Sequence, residues 1–250
     1  MLARPIRLPL ALVGATLLLA ACSSTGPAPE ALDDTTPDGA ETTLVATTTP
    51  DLPLSLPSAA NLGVDGVTLE EARARVASKG ALKPADLSFA LMDEATYKDL
   101  VEPRTGPAAI KAQGGFDRTG DSAQRFAGLS SVIGFTRDWT SADSSYTLRE
   151  EITLLGSDSE ASSYADRLRD ELTPLKIPQV TTSAPNVVYA VEFGIKELDP
   201  KRQCVSIAIA RRGRLVTLAT FSHACTTFSG TWSALLSSYA LERSAKVLGL

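Results

Sequence analysis

The hydrophobic pattern of this chain changes character twice. Leu8 to Ala21 is an uncharged run rich in Leu and Ala. At ~1.5 Å per residue, its roughly 14 residues would make a helix of about 21 Å. A bilayer core needs about 20 residues, so the run fits the apolar part of an export signal better than a permanent span. From Ser23 to about Asn61 the periodicity disappears. Pro27, Pro29, Pro37, Pro50, Pro53 and Pro57 punctuate a segment rich in Thr, Ser and Ala. Such a stretch buries too little apolar surface to offset the entropy of ordering, and it reads as a disordered tether over 22–61.

Periodic signals begin near Val67 and define one domain, 62–250. Thr68 followed by Glu71 forms a capping box, and Leu69, Ala72 and Val76 share a helical face that should end near Gly80. Phe89-Ala90-Leu91-Met92 reads as a short strand. Residues 93–131 hold no period, with Pro103, Pro107, Gly114-Gly115 and Gly120 interrupting them. Val132 to Trp139 and Tyr146 to Leu155 alternate as a hairpin, with Tyr146, Leu148, Ile152 and Leu154 on one side. Ser157 with Glu160 caps a helix carrying Ala161, Tyr164, Ala165, Leu168 and Leu172 at the 3.6 period, ended by Pro174 and Pro178. Asn186 to Ile195 is a strand with Val187, Tyr189, Val191 and Phe193 on one face. Cys204 to Ala210 and Arg214 to Ser222 form a second hairpin turning at Arg212-Gly213. A last helix, about Gly230 to Val247, directs Trp232, Leu235, Leu236, Tyr239 and Val247 inward. From residue 132 the order is β-β-α-β-β-β-α. Short links between strands imply antiparallel pairing. The expected fold class is α+β, an antiparallel sheet of five or six strands with helices packed on one face.

Charge sharpens this division. The chain carries −5, and from Cys22 onward 22 basic residues stand against 29 acidic ones. Six acids and no bases lie in the tether (Glu30, Asp33, Asp34, Asp38, Glu41, Asp51), so the domain itself is near neutral. No basic footprint for nucleic acid is present, nor a polybasic patch for anionic lipid. As a coil of ~39 residues the tether spans about 35 Å root-mean-square. Thr42, Thr43, Thr47, Thr48 and Thr49 beside Pro50 are open to O-linked sugar or form an unmodified spacer.

At the junction of the apolar run and the tether stand Leu19, Ala20, Ala21 and Cys22, preceded by the basic residues Arg4 and Arg7. The tetrad resembles the lipobox of bacterial lipoproteins: an aliphatic residue, two small residues, then Cys. The resemblance implies cleavage between Ala21 and Cys22 of a signal peptide (1–21). It also implies a diacylglyceryl thioether on Cys22, with or without further N-acylation such as palmitate. Two or three chains hold a protein stably at a bilayer where one holds it marginally. An ordinary secretory signal cut after Ala-x-Ala is the other reading. The expected location is the outer face of the cell membrane, with the membrane itself as one partner.

Cys204 and Cys225 are the remaining thiols. An even pair in an exported chain reads as one disulfide, worth about 3 kcal/mol for a loop of ~20 residues in the chain-entropy model. Two buried free thiols are the alternative. A turn at 212–213 sets Cys204 opposite Phe221, so that Cys225 would have to fold back. The run Cys204, hairpin 205–222, Ala224-Cys225 and helix 230–247 looks like the C-terminal part of the extracellular sensor domain of mycobacterial receptor serine/threonine kinases. It is also similar to small secreted domains of actinobacterial lipoproteins. The second disulfide of the sensor family has no cysteines here. The resemblance implies a sensor-like or accessory domain that binds a ligand or partner in a cleft, not an enzyme.

Candidate chemistry is sparse. His223, the single histidine, reads as a strand-end residue rather than a base or pH switch. There is no Gly-x-Ser-x-Gly, phosphate loop or dinucleotide fingerprint. Glu150 and Glu151 are adjacent on a strand and point to opposite faces, which excludes a local glycosidase pair. Trp139 with Asp138 suits a sugar platform or, more simply, a hairpin core. Arg211, Arg212 and Arg214 cluster at one hairpin tip, suited to anionic envelope polymer or to solvent. No cofactor and no metal set is expected. The alternatives to a binding domain are an envelope hydrolase with a non-local site and a structural assembly subunit. The second would show a flat apolar patch on a sheet face.

Overall fold

A computed structural model describes residues 66–115, 122–142, 145–175, 177, 179–195, 203–224 and 231–250. All of these belong to the second of the two units into which the chain divides, Met1–Thr48 and Thr49–Leu250. The lipobox, the tether and Cys225 lie outside the described residues.

Six strands form one antiparallel sheet: β1 (Ala108–Gly114), β2 (Val132–Ser141), β3 (Thr147–Leu155), β4 (Val187–Ile195), β5 (Gln203–Arg212) and β6 (Leu215–Ala224). Their spatial order is β1-β2-β3-β6-β5-β4. Among the described residues six α-helices accompany them: α1 (Leu69–Ala77), α2 (Glu94–Leu100), α3 (Glu102–Thr105), α4 (Ser122–Arg125), α5 (Asp158–Leu172) and α6 (Thr231–Arg243). The expected α+β antiparallel sheet is therefore present, at the upper end of the expected strand number.

Local chemistry explains the boundaries. Thr68 accepts from the Glu71 amide at 3.2 Å while Glu71 accepts from the Thr68 amide at 3.0 Å, a complete capping box at the start of α1. Ser157 caps α5 through the Glu160 amide, but the Glu160 carboxylate reaches past the cap to the amides of Gly156 and Ser130, both at 2.9 Å. It thereby pins the segment before β2 to the start of α5. At the end of α6 the helix widens into a π turn, Ser244–Leu248, and Arg73 of α1 takes the Val247 carbonyl at 2.6 Å.

Several expectations are corrected. Helices cover both sheet faces, not one. Tyr164, Ala165 and Leu168 of α5 pack on Val205, Ile207, Ile209, Val216 and Leu218. On the opposite face Trp232 and Leu236 of α6 meet Leu148, Ala219 and Phe221, and Ala234 meets Ala190 and Ala208. Strands buried on both sides carry continuous apolar runs, and β5 and β6 have them. Residues 84–90 form a 3-10 helix rather than leading into a strand. Pro84 starts it, and the buried Asp86 carboxylate holds it by accepting from the Lys83 amide and from Arg75. The unread stretch 93–131 contains α2, α3, α4 and the edge strand β1. Val187 leaves the face of Tyr189, Val191 and Phe193 because the register shifts between Val187 and Tyr189. It packs instead with Ala190 and Ala208. Leu235 is only partly buried. Small residues face the sheet there, with Ser233 and Ser206 sharing a hydrogen bond at 2.7 Å and the Ser237 hydroxyl donating to the Ala208 carbonyl at 2.9 Å. The hairpin turns at Gly213-Arg214, not Arg212-Gly213, and Gly213 supplies the positive φ of 53° that a tight turn requires. This moves Cys204 opposite His223 instead of Phe221.

Candidate ligand-binding cleft

The turn at Gly213-Arg214 lies at the end of the sheet where β2 begins and β3 ends. The C-terminal end of α1 comes to this end from one face, and the first turn of α5 from the other. Between them is an open cleft of about 820 Å³, within the size range of small-molecule sites, roughly 300–1,000 Å³. Its apolar lining comes from Val76, Leu82, Ile133, Leu154, Leu155 and Leu215. Its cationic lining comes from Arg75, Lys79, Arg212 and Arg214, against one acidic side chain, Asp158.

The cations are not equivalent. Arg75 is committed to Asp86 through two hydrogen bonds of 2.8 and 2.5 Å, which raise its affinity for its proton. Arg212 donates to the Leu250 oxygen at 2.8 Å. Arg214 touches the Gly156 carbonyl at 3.5 Å, a marginal contact. Lys79 and Arg214 are exposed, and no Asp or Glu side chain of the described residues pairs with either. Lys79 adopts φ 54°, the left-handed conformation just past the end of α1, so the backbone itself turns there to form the cleft wall.

The other sequence candidates lie elsewhere. His223 is wholly buried near the far end of β6, tilted against the Phe221 ring at 4.9 Å, and does not line the cleft. Glu150 and Glu151 do point to opposite faces. Glu150 accepts from the Met92 amide and the Trp139 indole, each at 3.3 Å, while Glu151 accepts from the Tyr164 hydroxyl at 3.1 Å. Burial pushes both carboxyls above the usual range, with Arg137 opposing it at Glu150 and Arg149 and Arg125 at Glu151. Trp139 is a core residue, 1% exposed and stacked on Tyr97 at 4.3 Å, so it offers no sugar platform; Asp138 faces Arg149 at 3.8 Å. Cys204 is buried on β5. Of the three arginines at the hairpin tip, Arg212 and Arg214 enter the cleft lining, whereas Arg211 reaches toward the Asp158 carbonyl at 3.5 Å. Sequence reading did not find Arg75, Lys79 or the apolar floor. They come from separate elements joined only by the fold, and the one signal on offer was the unexplained basic turn. Among the described residues no group of His, Cys, Asp and Glu is placed to hold a metal ion, and no helix is long and apolar enough to cross a membrane.

No family model matches the chain. No curated protein matches it. Among solved structures it is similar to the extracellular domain of PknH from Mycobacterium tuberculosis, at 10% identity and a TM-score of 0.43, over 65% of this chain and 97% of that one.

Proposed function

We propose that this chain is a membrane-anchored envelope lipoprotein, tethered through Cys22, whose extracytoplasmic domain binds a ligand in the cleft beside the β5–β6 turn. The composition of that cleft carries the reading. It is concave, floored by aliphatic side chains and rimmed by cations, with a single acidic side chain and without His223. A binding site needs a desolvating floor and a few polar groups that orient the ligand. A hydrolytic site would need a base, a nucleophile and a stabiliser within hydrogen-bond reach of each other. The only histidine of the chain is buried away from this cleft, which weighs against the hydrolase alternative. Helices on both faces of the sheet weigh against a subunit that assembles through a flat apolar sheet face. Cys204 and Cys225 form the bridge of this domain. Cys204 stands opposite His223 on the partner strand, and Cys225 follows His223 by two positions in the sequence.

The test is photo-cross-linking in the native envelope from a photoreactive side chain placed at Leu82, with one at Ile110 on the far edge strand as control. Adducts of defined mass formed at position 82 and absent at 110 support the reading. Equal labelling at both positions, or none at 82, counts against it.

A further inference from the structure

The cleft has two chemistries side by side, and together they define a ligand class. Resting on the reading that the cleft is the binding site, we propose that its occupant is a phosphate-headed, single-chain lipid. The phosphate sits against Lys79 and Arg214, and the aliphatic chain lies along Val76, Leu82, Ile133 and Leu215.

Each half of the ligand answers one observation. Lys79 and Arg214 project exposed charges from two different elements into one cleft, with no side-chain carboxylate of the described residues paired to them. Their elements hold them by backbone rather than by ion pairs: the left-handed Lys79 ends α1, and Gly213 turns the chain into Arg214. A phosphate monoester carries about −1.5 to −2 charges and three acceptor oxygens, which suits a pair of donors better than one carboxylate does. A purely ionic ligand would leave the floor unexplained. Leu154 and Leu215 are themselves buried core residues, so the floor is continuous with the packed interior and is dry on its inner side. An aliphatic chain laid on it removes apolar area from water at about 25 cal/mol per Å². A cleft of 820 Å³ suits one chain and a small head. Asp158 is the discordant group. It stands beside Gly213, where an added Cβ would come within 3.8 Å of its carboxylate oxygen, and it would repel the phosphate.

The experiment is a binding titration of the full chain with a lysophosphatidic acid below its micelle concentration. The comparison probes are a monoacylglycerol of the same chain length and inorganic phosphate. Charge-assisted hydrogen bonds contribute about 1.5–3 kcal/mol each, and 1.4 kcal/mol is tenfold. The expected result is saturable binding, about tenfold weaker or more in Lys79→Glu and again in Arg214→Glu. Tighter binding is expected in Asp158→Asn, and at least about tenfold weaker binding of the neutral lipid. All three substituted residues lie on the cleft rim, and unchanged melting temperatures confirm that the variants are folded. Equal binding of both lipids, insensitive to the charge reversals but abolished by Leu82→Glu, overturns the phosphate assignment and leaves the cleft reading standing. Inorganic phosphate competing as well as the lipid overturns the chain assignment. Failure of every probe, together with no labelling at Leu82 in the envelope, removes both the inference and the reading beneath it.

Discussion

Replacing Arg243 by Met should strongly destabilise the domain. Arg243 ends α6 and is 1% exposed. Its guanidinium donates to the Phe89 carbonyl at 2.9 Å, to the Tyr239 hydroxyl at 2.9 Å and to the Asp93 carboxylate at 2.6 Å. One side chain thus ties α6 to the 3-10 segment and to the N-cap of α2. Breaking a buried pair by removing one partner costs about 3–5 kcal/mol, because the surviving charge stays out of water. The Asp93 side chain keeps 16% of its exposure and the Thr96 amide at 2.8 Å, so the lower half of that range, about 3–4 kcal/mol, is expected. For a domain of this size each kcal/mol moves Tm by about 2–4 °C, giving a fall of roughly 6–16 °C. Urea denaturation of wild type, Arg243→Met, Asp93→Asn and the double variant measures it, and the cycle isolates the pair. The loss should also depend on pH. Burial pushes the Asp93 carboxyl up, but the Thr96 amide and Arg243 outweigh it and hold the carboxyl below its ordinary value. A lowered folded value stabilises above the unfolded one and is lost as pH falls through the folded value. The penalty of Arg243→Met should therefore shrink toward acid pH. A loss under about 1 kcal/mol at neutral pH, or a coupling below about 0.5 kcal/mol, would refute the reasoning.

Other outcomes follow from the same physics. Glu151 has the opposite linkage sign: its raised folded value means stability is lost as pH rises from the usual carboxylate range, about 4, through that raised value. Glu151→Gln keeps an acceptor for Tyr164, so it should flatten the decline of urea stability as pH rises from about 4; a slope identical to wild type contradicts this. Cys22→Ala should release the protein from salt-washed membranes and abolish palmitate labelling, and persistence in the pellet argues against the anchor. Non-reducing peptide mapping should recover Cys204 joined to Cys225, and reduction should lower Tm; alkylation of both thiols in the untreated protein rules the bridge out.

Elements with a complete local code were readable in the sequence. Thr68 with Glu71 and the parity of Tyr146, Leu148, Ile152 and Leu154 needed no tertiary information, and each appears in the fold where the pattern set it. What stayed hidden depends on partners. Edge strand β1, Ala-Ala-Ile-Lys-Ala-Gln-Gly, is mostly exposed, so it carries no alternation. The 3-10 turn at 84–90 exists because Asp86 finds Arg75 eleven residues earlier. Coverage of both sheet faces was inferable, since Val205-Ser206-Ile207-Ala208-Ile209 is buried at every position. A run without alternation means a strand with no wet face. The cleft was legible only at Arg212 and Arg214. Its other walls come from α1, β2, β3 and α5, and no local pattern records that their ends converge.

The most direct test of the central claim is backbone hydrogen exchange of the anchored chain in its own membranes, compared with the same chain after delipidation in detergent. Occupancy of the cleft predicts slower exchange in the native envelope at residues 79–82 and 213–215, with the amides of β1 unchanged. Identical exchange around Lys79 and Arg214 in the two states, or protection confined to β1, would contradict it.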